Sequence, residues 1–276
     1  MTPISVVIIT KNEAAIIAQC INMAQLLSKD IIIIDSGSTD ETVKIARQYG
    51  CRVYNETWDG YGANKNKGIA LATNNWILSL DADEVIDMEL VGSIHRLTLQ
   101  DPTMVYDIQY KLYFGQKQIH FGSWGKEHHL RLFNRTHVRW CESMVHERLV
   151  LPKFVKTRQV AGYIHHYTVN NAQEYIDKTM HYAWLGAQQY LRQGRKFLFF
   201  KRLFSPTFGF FKNYFIRLGF LDGKEGLQIA KINYKSTYFK YHYLNTHHEN
   251  ISDSALENLA LSNGKRPSRK QIKIEC

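Results

Sequence analysis

The sequence predicts an α/β protein: a mixed sheet flanked by helices, followed by a helical extension rich in aromatic and basic residues. The first hundred residues alternate continuous β-branched runs with helical apolar stripes, the pattern of βαβ units on a parallel sheet. From about residue 104 a tyrosine-rich alternation takes over, as in antiparallel strands joined by short turns. Beyond Asn170 the period becomes helical, and residues 196–220 interleave Phe with Lys and Arg.

Each element has its own signal. "ISVVIIT" (4–10) is apolar almost throughout, as expected of a strand buried on both faces. Ile16, Ile17, Cys20, Ile21, Ala24 and Leu27 then mark one helical face, with Asn12 as the N-cap. "DIIIID" (30–35) repeats the buried-strand signature, and the helix after it has Ser38 and Glu41 spaced as a capping box and Gly50 as its stop. "CRVYN" is a third short strand, "NKNKGIALAT" a helix and "WILSL" a fourth strand. "MVYDIQYKLYF", "QKQIHF", "HHLRLFN" and "HVRWC" read as the antiparallel strands, and a long helix runs from Asn170 to Gly194. The last fifteen residues have little to bury.

With 276 residues the chain buries a core without covalent staples. Cys20, Cys51, Cys141 and Cys276 lack metal-ligand spacing, so reduced thiols in a cytoplasmic setting are expected. No basic leader precedes an apolar stretch, and no apolar run reaches the ~18–20 residues of a membrane span. The expectation is a protein neither secreted nor spanning. The net charge of +10 is unevenly spread. Residues 1–101 hold eight Lys/Arg against thirteen Asp/Glu, whereas residues 195–240 hold ten against two. The basic part can meet nucleic acid, anionic lipid or an acidic glycolipid.

Ligands on open α/β sheets bind at the carboxyl ends of the strands. Those ends gather Thr10, Asn12 and Glu13; Asp35 and Ser36; Lys65; and Asp81 with Asp83. Carboxylates there accept hydrogen bonds from a base or ribose, and a lysine neutralises a diphosphate. On an extended "DAD" Asp81 and Asp83 point the same way, one toward a ribose and one toward a divalent cation, Mg²⁺ or Mn²⁺. The bland readings are that Asp35 only ends a strand, that Glu13 and Glu41 only favour a helix dipole, and that Glu84 is a solvated helix-start acid. Arg131 reads equally as a phosphate contact or as a structural arginine on a half-exposed strand face.

"SVVIITKNE", "IIIIDSGSTDET" and "NKNKGIALATNNWILSLDADE" resemble, in order and spacing, the motifs of inverting family 2 glycosyltransferases with a GT-A, Rossmann-like fold. The resemblance implies a UDP-sugar donor, with Thr10, Asn12 and Glu13 near base and ribose, Asp35 near the uracil, Asp81 on the ribose and Asp83 on the metal. Lys65 stands where the family usually carries arginine, and Ser36 where many members carry a second aspartate. "VRWCESMVHERL" (138–149) resembles the corresponding motif of lipopolysaccharide inner-core glucosyltransferases, making Glu147 the base, with His146 beside it and Glu142 as competitor. In "YIHHYTVNN" neighbouring histidines on a strand face opposite ways, so at most one joins Asp83 at a metal; the resemblance favours His166 over His165.

The expected organisation is a nucleotide-sugar-binding half (1–100), an acceptor-binding and catalytic half (101–170), a helical extension contacting a membrane surface (171–261) and a basic tail (262–276). The implied activity is transfer of a hexose, glucose first, from a UDP-sugar to a lipopolysaccharide inner-core heptose, at the cytoplasmic face of the inner membrane of a Gram-negative bacterium and without nucleic acid. The rivals are transfer to a peptide or another polysaccharide, a sugar nucleotidyltransferase, and a non-enzymatic membrane or RNA binder.

Overall fold

The computed structural model describes residues 3–142, 147–192 and 199–261. The described residues form two compact units, 3–113 with 126–168, and 114–125 with those from 169 on.

The strands and helices are β1 (Ile4–Thr10), α1 (Ile17–Gln25), β2 (Ile31–Asp35), α2 (Thr42–Gln48), β3 (Arg52–Asn55), α3 (Tyr61–Leu71), β4 (Trp76–Asp81), β5 (Glu84–Ile86), α4 (Met88–His95), β6 (Met104–Phe114), β7 (Lys117–Ile119), β8 (His128–Asn134), β9 (Arg139–Trp140), β10 (Leu149–Val150), β11 (Lys156–Val169), α5 (Ala172–Arg192), α6 (Phe199–Phe211) and α7 (Gly223–Leu261). In the first unit the strands run in the order β3-β2-β1-β4-β8-β6-β11-β5. β1, β2, β3 and β4 are parallel, while β8 is antiparallel to β4 and β6, and β11 to β5. The sheet is therefore mixed, as expected. Every residue of β1 and β2 is buried, because helices cover both faces of their part of the sheet. Val7, Ile9, Ile32, Ile34, Ile77 and Phe133 form the centre of one core.

Two local expectations are corrected. Asn12 caps no helix: α1 starts five residues later without a side-chain cap. Asn12 takes a left-handed backbone (φ 57°), donates its N–H to Ser38 Oγ (2.8 Å) and accepts from the Thr39 N–H (2.8 Å). Ser38 is thereby committed to Asn12 and Asp35, so no capping box forms, and Asp40 accepts the Thr42 N–H instead (3.0 Å). The loops after β1 and β2 brace each other, and these tertiary bonds outcompete the local cap. Gly50 does end α2, in a left-handed conformation (φ 76°).

Helix α4, not singled out in the sequence, begins at Asp87, whose carboxylate accepts from the Leu90 N–H (2.8 Å) and from Tyr163 N–H of β11 (3.1 Å). β11 approaches it closely only because Gly162 (φ 100°) has no Cβ; one would lie 2.2 Å from the Leu90 nitrogen.

The second unit holds β7 and helices α5 to α7, with a π-helical turn at Lys212–Ile216 and a 3-10 turn at Gly219–Asp222. α7 packs against α5 and α6. Buried Asp222 binds the unit together by accepting the N–H groups of His120 (3.1 Å) and Phe121 (2.8 Å). Segment 114–125, expected with the preceding strands, belongs by its packing to this helical unit. Phe200, Phe204, Phe208, Phe211 and Phe215, three or four residues apart, lie 48–70% exposed along one outer line, with Lys201, Lys212 and Arg217 also exposed. No described helix is long and apolar enough to cross a membrane. The basic tail and Cys276 lie outside the described residues.

Candidate active site

Register brings the parallel strand ends together: Thr10 pairs with Asp35, and Ile9 with Asp81. The Thr10 hydroxyl is buried and has no hydrogen-bond partner among the described residues. Asp35, also buried, accepts the N–H groups of Gly37 and Ser38 (3.0 Å each) and the Ser38 hydroxyl (2.5 Å), closing the loop after β2. Asn12 and Glu13 lie in the facing loop, where the Glu13 N–H donates to Thr42 Oγ1 (2.8 Å).

The centre of the site is a charged cluster. Lys65 projects from α3 and is wholly buried; its ammonium lies 2.8 Å from Glu147 Oε1, 3.0 Å from Asp81 Oδ1 and 4.6 Å from the centre of the Trp140 ring. The Glu147 contact is an aligned hydrogen bond, whereas that to Asp81 is an ion pair without hydrogen-bond alignment. On the other side Arg131 of β8, buried, reaches Glu84 Oε1 (2.5 Å), Asp81 Oδ2 (3.5 Å) and the Tyr110 hydroxyl (2.5 Å). The Asp81 N–H donates to the second Glu84 oxygen (3.0 Å). Burial opposes the Asp81 charge, but Lys65 and Arg131 outweigh it and hold the carboxyl below the usual carboxylate range. Burial pushes the Glu84 carboxyl up, opposed by Arg131. Two cations face three carboxyl groups here, and burial biases one of these, Glu84, toward its neutral form.

Two sequence readings change at this cluster. Glu84 is no solvated helix-start acid but a 1% exposed residue of β5 paired with Arg131. Arg131 lies on no half-exposed face: β8 sits in the middle of the sheet, between β4 and β6, so a charge there must find partners. The sheet position was the missing signal, since "HHLRLFN" alone does not reveal which strands flank it. Glu142, the competitor of Glu147, is 71% exposed and only 3.9 Å from Arg139. His146 lies outside the described residues.

"DAD" is not extended throughout, because residues 82–83 form the turn between β4 and β5. Asp81 therefore faces Lys65 and Arg131, while Asp83 Oδ2 lies 3.1 Å from His166 Nε2. His165 points elsewhere: its Nδ1 lies within hydrogen-bond distance of the Tyr113 hydroxyl (2.8 Å), and Asp87 lies 3.8 Å from its Nε2. Burial pushes the His165 imidazole down, favouring its neutral form. Tyr110 packs edge-on against both His129 and His166, and His129 Nε2 lies 2.7 Å from Glu127.

Among the described residues no three His, Cys, Asp or Glu side chains gather as a metal cage. The Asp83–His166 pair offers one carboxylate and one imidazole, a two-residue donor set that fits Mn²⁺ better than Mg²⁺, which prefers oxygen ligands alone. Cys20, Cys51 and Cys141 are free thiols; burial pushes Cys20 well up and Cys51 up to about 11.

A mixed sheet with a charged cluster at the carboxyl ends of its parallel strands is that of an α/β enzyme domain. The model of glycosyl transferase family 2 matches residues 5–205, and the chain belongs to that family, with the helix-flanked mixed sheet of a GT-A fold. It is similar to an uncharacterized glycosyltransferase of Rickettsia felis, 34% identical over 241 residues that make up 82% of this chain and 83% of that one. The lipopolysaccharide core biosynthesis glycosyltransferase LpsC of Rhizobium meliloti is 29% identical over 232 residues, 80% of this chain and 82% of its own. Among solved structures, glucosyl-3-phosphoglycerate synthase of Mycobacterium tuberculosis, in complex with Mn²⁺, UDP and its product, aligns over 41% of this chain and 44% of its own, at 25% identity and a TM-score of 0.30.

Proposed function

We propose that the chain transfers a hexose, glucose first, from a UDP-sugar onto a heptose of a lipopolysaccharide inner core, with inversion at the anomeric carbon. The convergence of Lys65, Asp81 and Glu147 within about 3 Å carries the reading, because it joins a donor-side carboxylate and a candidate base through one ammonium. The similarity to LpsC supports the acceptor class.

In this reading Thr10, Asn12, Glu13 and Asp35 line the base and ribose, and Asp81 accepts a ribose hydroxyl. Lys65, now shared by two carboxylates, exchanges one of them for a diphosphate oxygen. Glu147 takes the proton of the acceptor hydroxyl as its oxygen bonds to the anomeric carbon; the bond to the diphosphate breaks on the opposite face, and UDP carries the electron pair away. Asp83 and His166 would hold a divalent cation, whose charge would neutralise the leaving diphosphate. The exposed phenylalanine line with its basic neighbours supports a peripheral membrane location, at the cytoplasmic face where such an acceptor is anchored.

Glu147→Gln is expected to lower transfer about 10²–10⁴-fold with UDP affinity nearly unchanged; wild-type turnover would remove the base assignment. UDP calorimetry with Mn²⁺ and with EDTA tests the cation. Equal binding in both, and in Asp83→Ala, would remove it.

A further inference from the structure

We infer that Gly62 and Asn66, on the same face of α3 as Lys65, are positioning residues that set where the Glu147 carboxylate sits. The inference rests on the reading of Glu147 as the base. The three residues are spaced i, i+3 and i+4, so they form one patch on the helix. Asn66 meets the backbone of Trp140 in both directions: its Nδ2 donates to the Trp140 carbonyl (2.9 Å), and its Oδ1 accepts the Trp140 N–H (3.1 Å). At Gly62 the absence of a side chain admits the next residue, for a Cβ there would lie 1.8 Å from the Cys141 carbonyl oxygen and 3.5 Å from Glu147 Cβ. Lys65 then grips the Glu147 carboxylate directly (2.8 Å).

The segment is closed at its base by its own ladder, with Cys141 N–H donating to the Arg148 carbonyl (2.8 Å) and Leu149 paired with Trp140. That ladder joins β9 to β10; the α3 contacts fix them relative to the donor side. α3 is itself pressed onto the parallel strands, since a Cβ at Gly68 would lie 2.4 Å from Val7 Cγ1. Buried Asn64 ties its start to Ser36 Oγ (3.0 Å) and to the Thr57 carbonyl (3.2 Å). One rigid helix thus spans from the strand ends to the base, and a misplacement of about 1 Å in such a group can cost on the order of a hundredfold in rate.

The test is a double-mutant cycle on the full chain. Asn66→Ala, and Asn66→Asp as a second variant that keeps an acceptor for the Trp140 N–H but loses the donor to the Trp140 carbonyl, are expected to lower kcat about tenfold to a hundredfold. The donor KM and UDP affinity by calorimetry should stay within about twofold, which also reports folding. In a Glu147→Gln background the same changes should lower residual transfer no further, because a positioning residue acts only through the group it positions. Wild-type kcat in both Asn66 variants, or a full additional loss in the Glu147→Gln background, would overturn the inference. Failure of the base reading is seen separately, as undiminished transfer by Glu147→Gln alone.

Discussion

Arg131 and Lys65 are buried cations whose value depends on their partners. Arg131→Met would strand Glu84 and one face of Asp81 without a counter-charge, and a loss of about 3–5 kcal/mol in urea unfolding is expected for breaking such a pair from one side. A loss under 1 kcal/mol would mean that water or a rotated Lys65 replaces the guanidinium. Asp81 sets a pH signature. Its folded pKa lies below the unfolded value, so its stabilisation is fully present above about pH 4 and is lost as pH falls through the folded value. The difference in unfolding free energy between wild type and Asp81→Asn should therefore shrink on acidification below about pH 4; a constant difference would contradict the charge pairing. Much of this cluster was legible as residue types: Lys65, Asp81, Asp83, Glu147 and His166 were all singled out by strand-end position or motif. Arg131 was read only as a phosphate contact or a structural arginine and Glu84 only as a solvated acid, and Trp140 was not singled out, because their pairing comes from β5 and β8 lying across the sheet from the segments that carry the motifs.

At the scale of elements, the parallel strands β1, β2 and β4 and the antiparallel β6 were readable because burial on two faces or one leaves a continuous or an alternating pattern. α4 and most of β11 were not. Their start and approach depend on Asp87 and Gly162 meeting across the fold, a relation that no local window contains. Gly162→Ala should destabilise the protein by about 1–3 kcal/mol, since both the left-handed backbone and the Leu90 contact oppose a Cβ. The outer line of α6 makes a different kind of prediction. Phe204→Asp with Phe208→Asp changes exposed residues and should leave thermal unfolding within about 2 °C, yet abolish co-flotation with anionic liposomes at low salt. Flotation equal to wild type would remove the monolayer contact.

For the whole molecule, the charge asymmetry of the sequence follows the division of the chain into two units. The acidic strand ends lie in the unit that holds the charged cluster, and the basic, phenylalanine-rich stretch lies in the helical unit. The placement of segment 114–125 in the second unit was beyond the sequence, because it depends on the buried Asp222 capturing the backbone of His120 and Phe121 about a hundred residues away. The most direct measurement of the central claim is a single reaction. The purified chain is incubated with Mn²⁺, a UDP-hexose panel and a truncated lipopolysaccharide core ending in heptose, and the product is read by mass and by the anomeric coupling in its NMR spectrum. The account predicts the gain of one hexose, from UDP-glucose first, in a β-linkage. An α-linked product would contradict inversion, and no transfer from any UDP-hexose by protein that binds UDP would contradict the proposed acceptor.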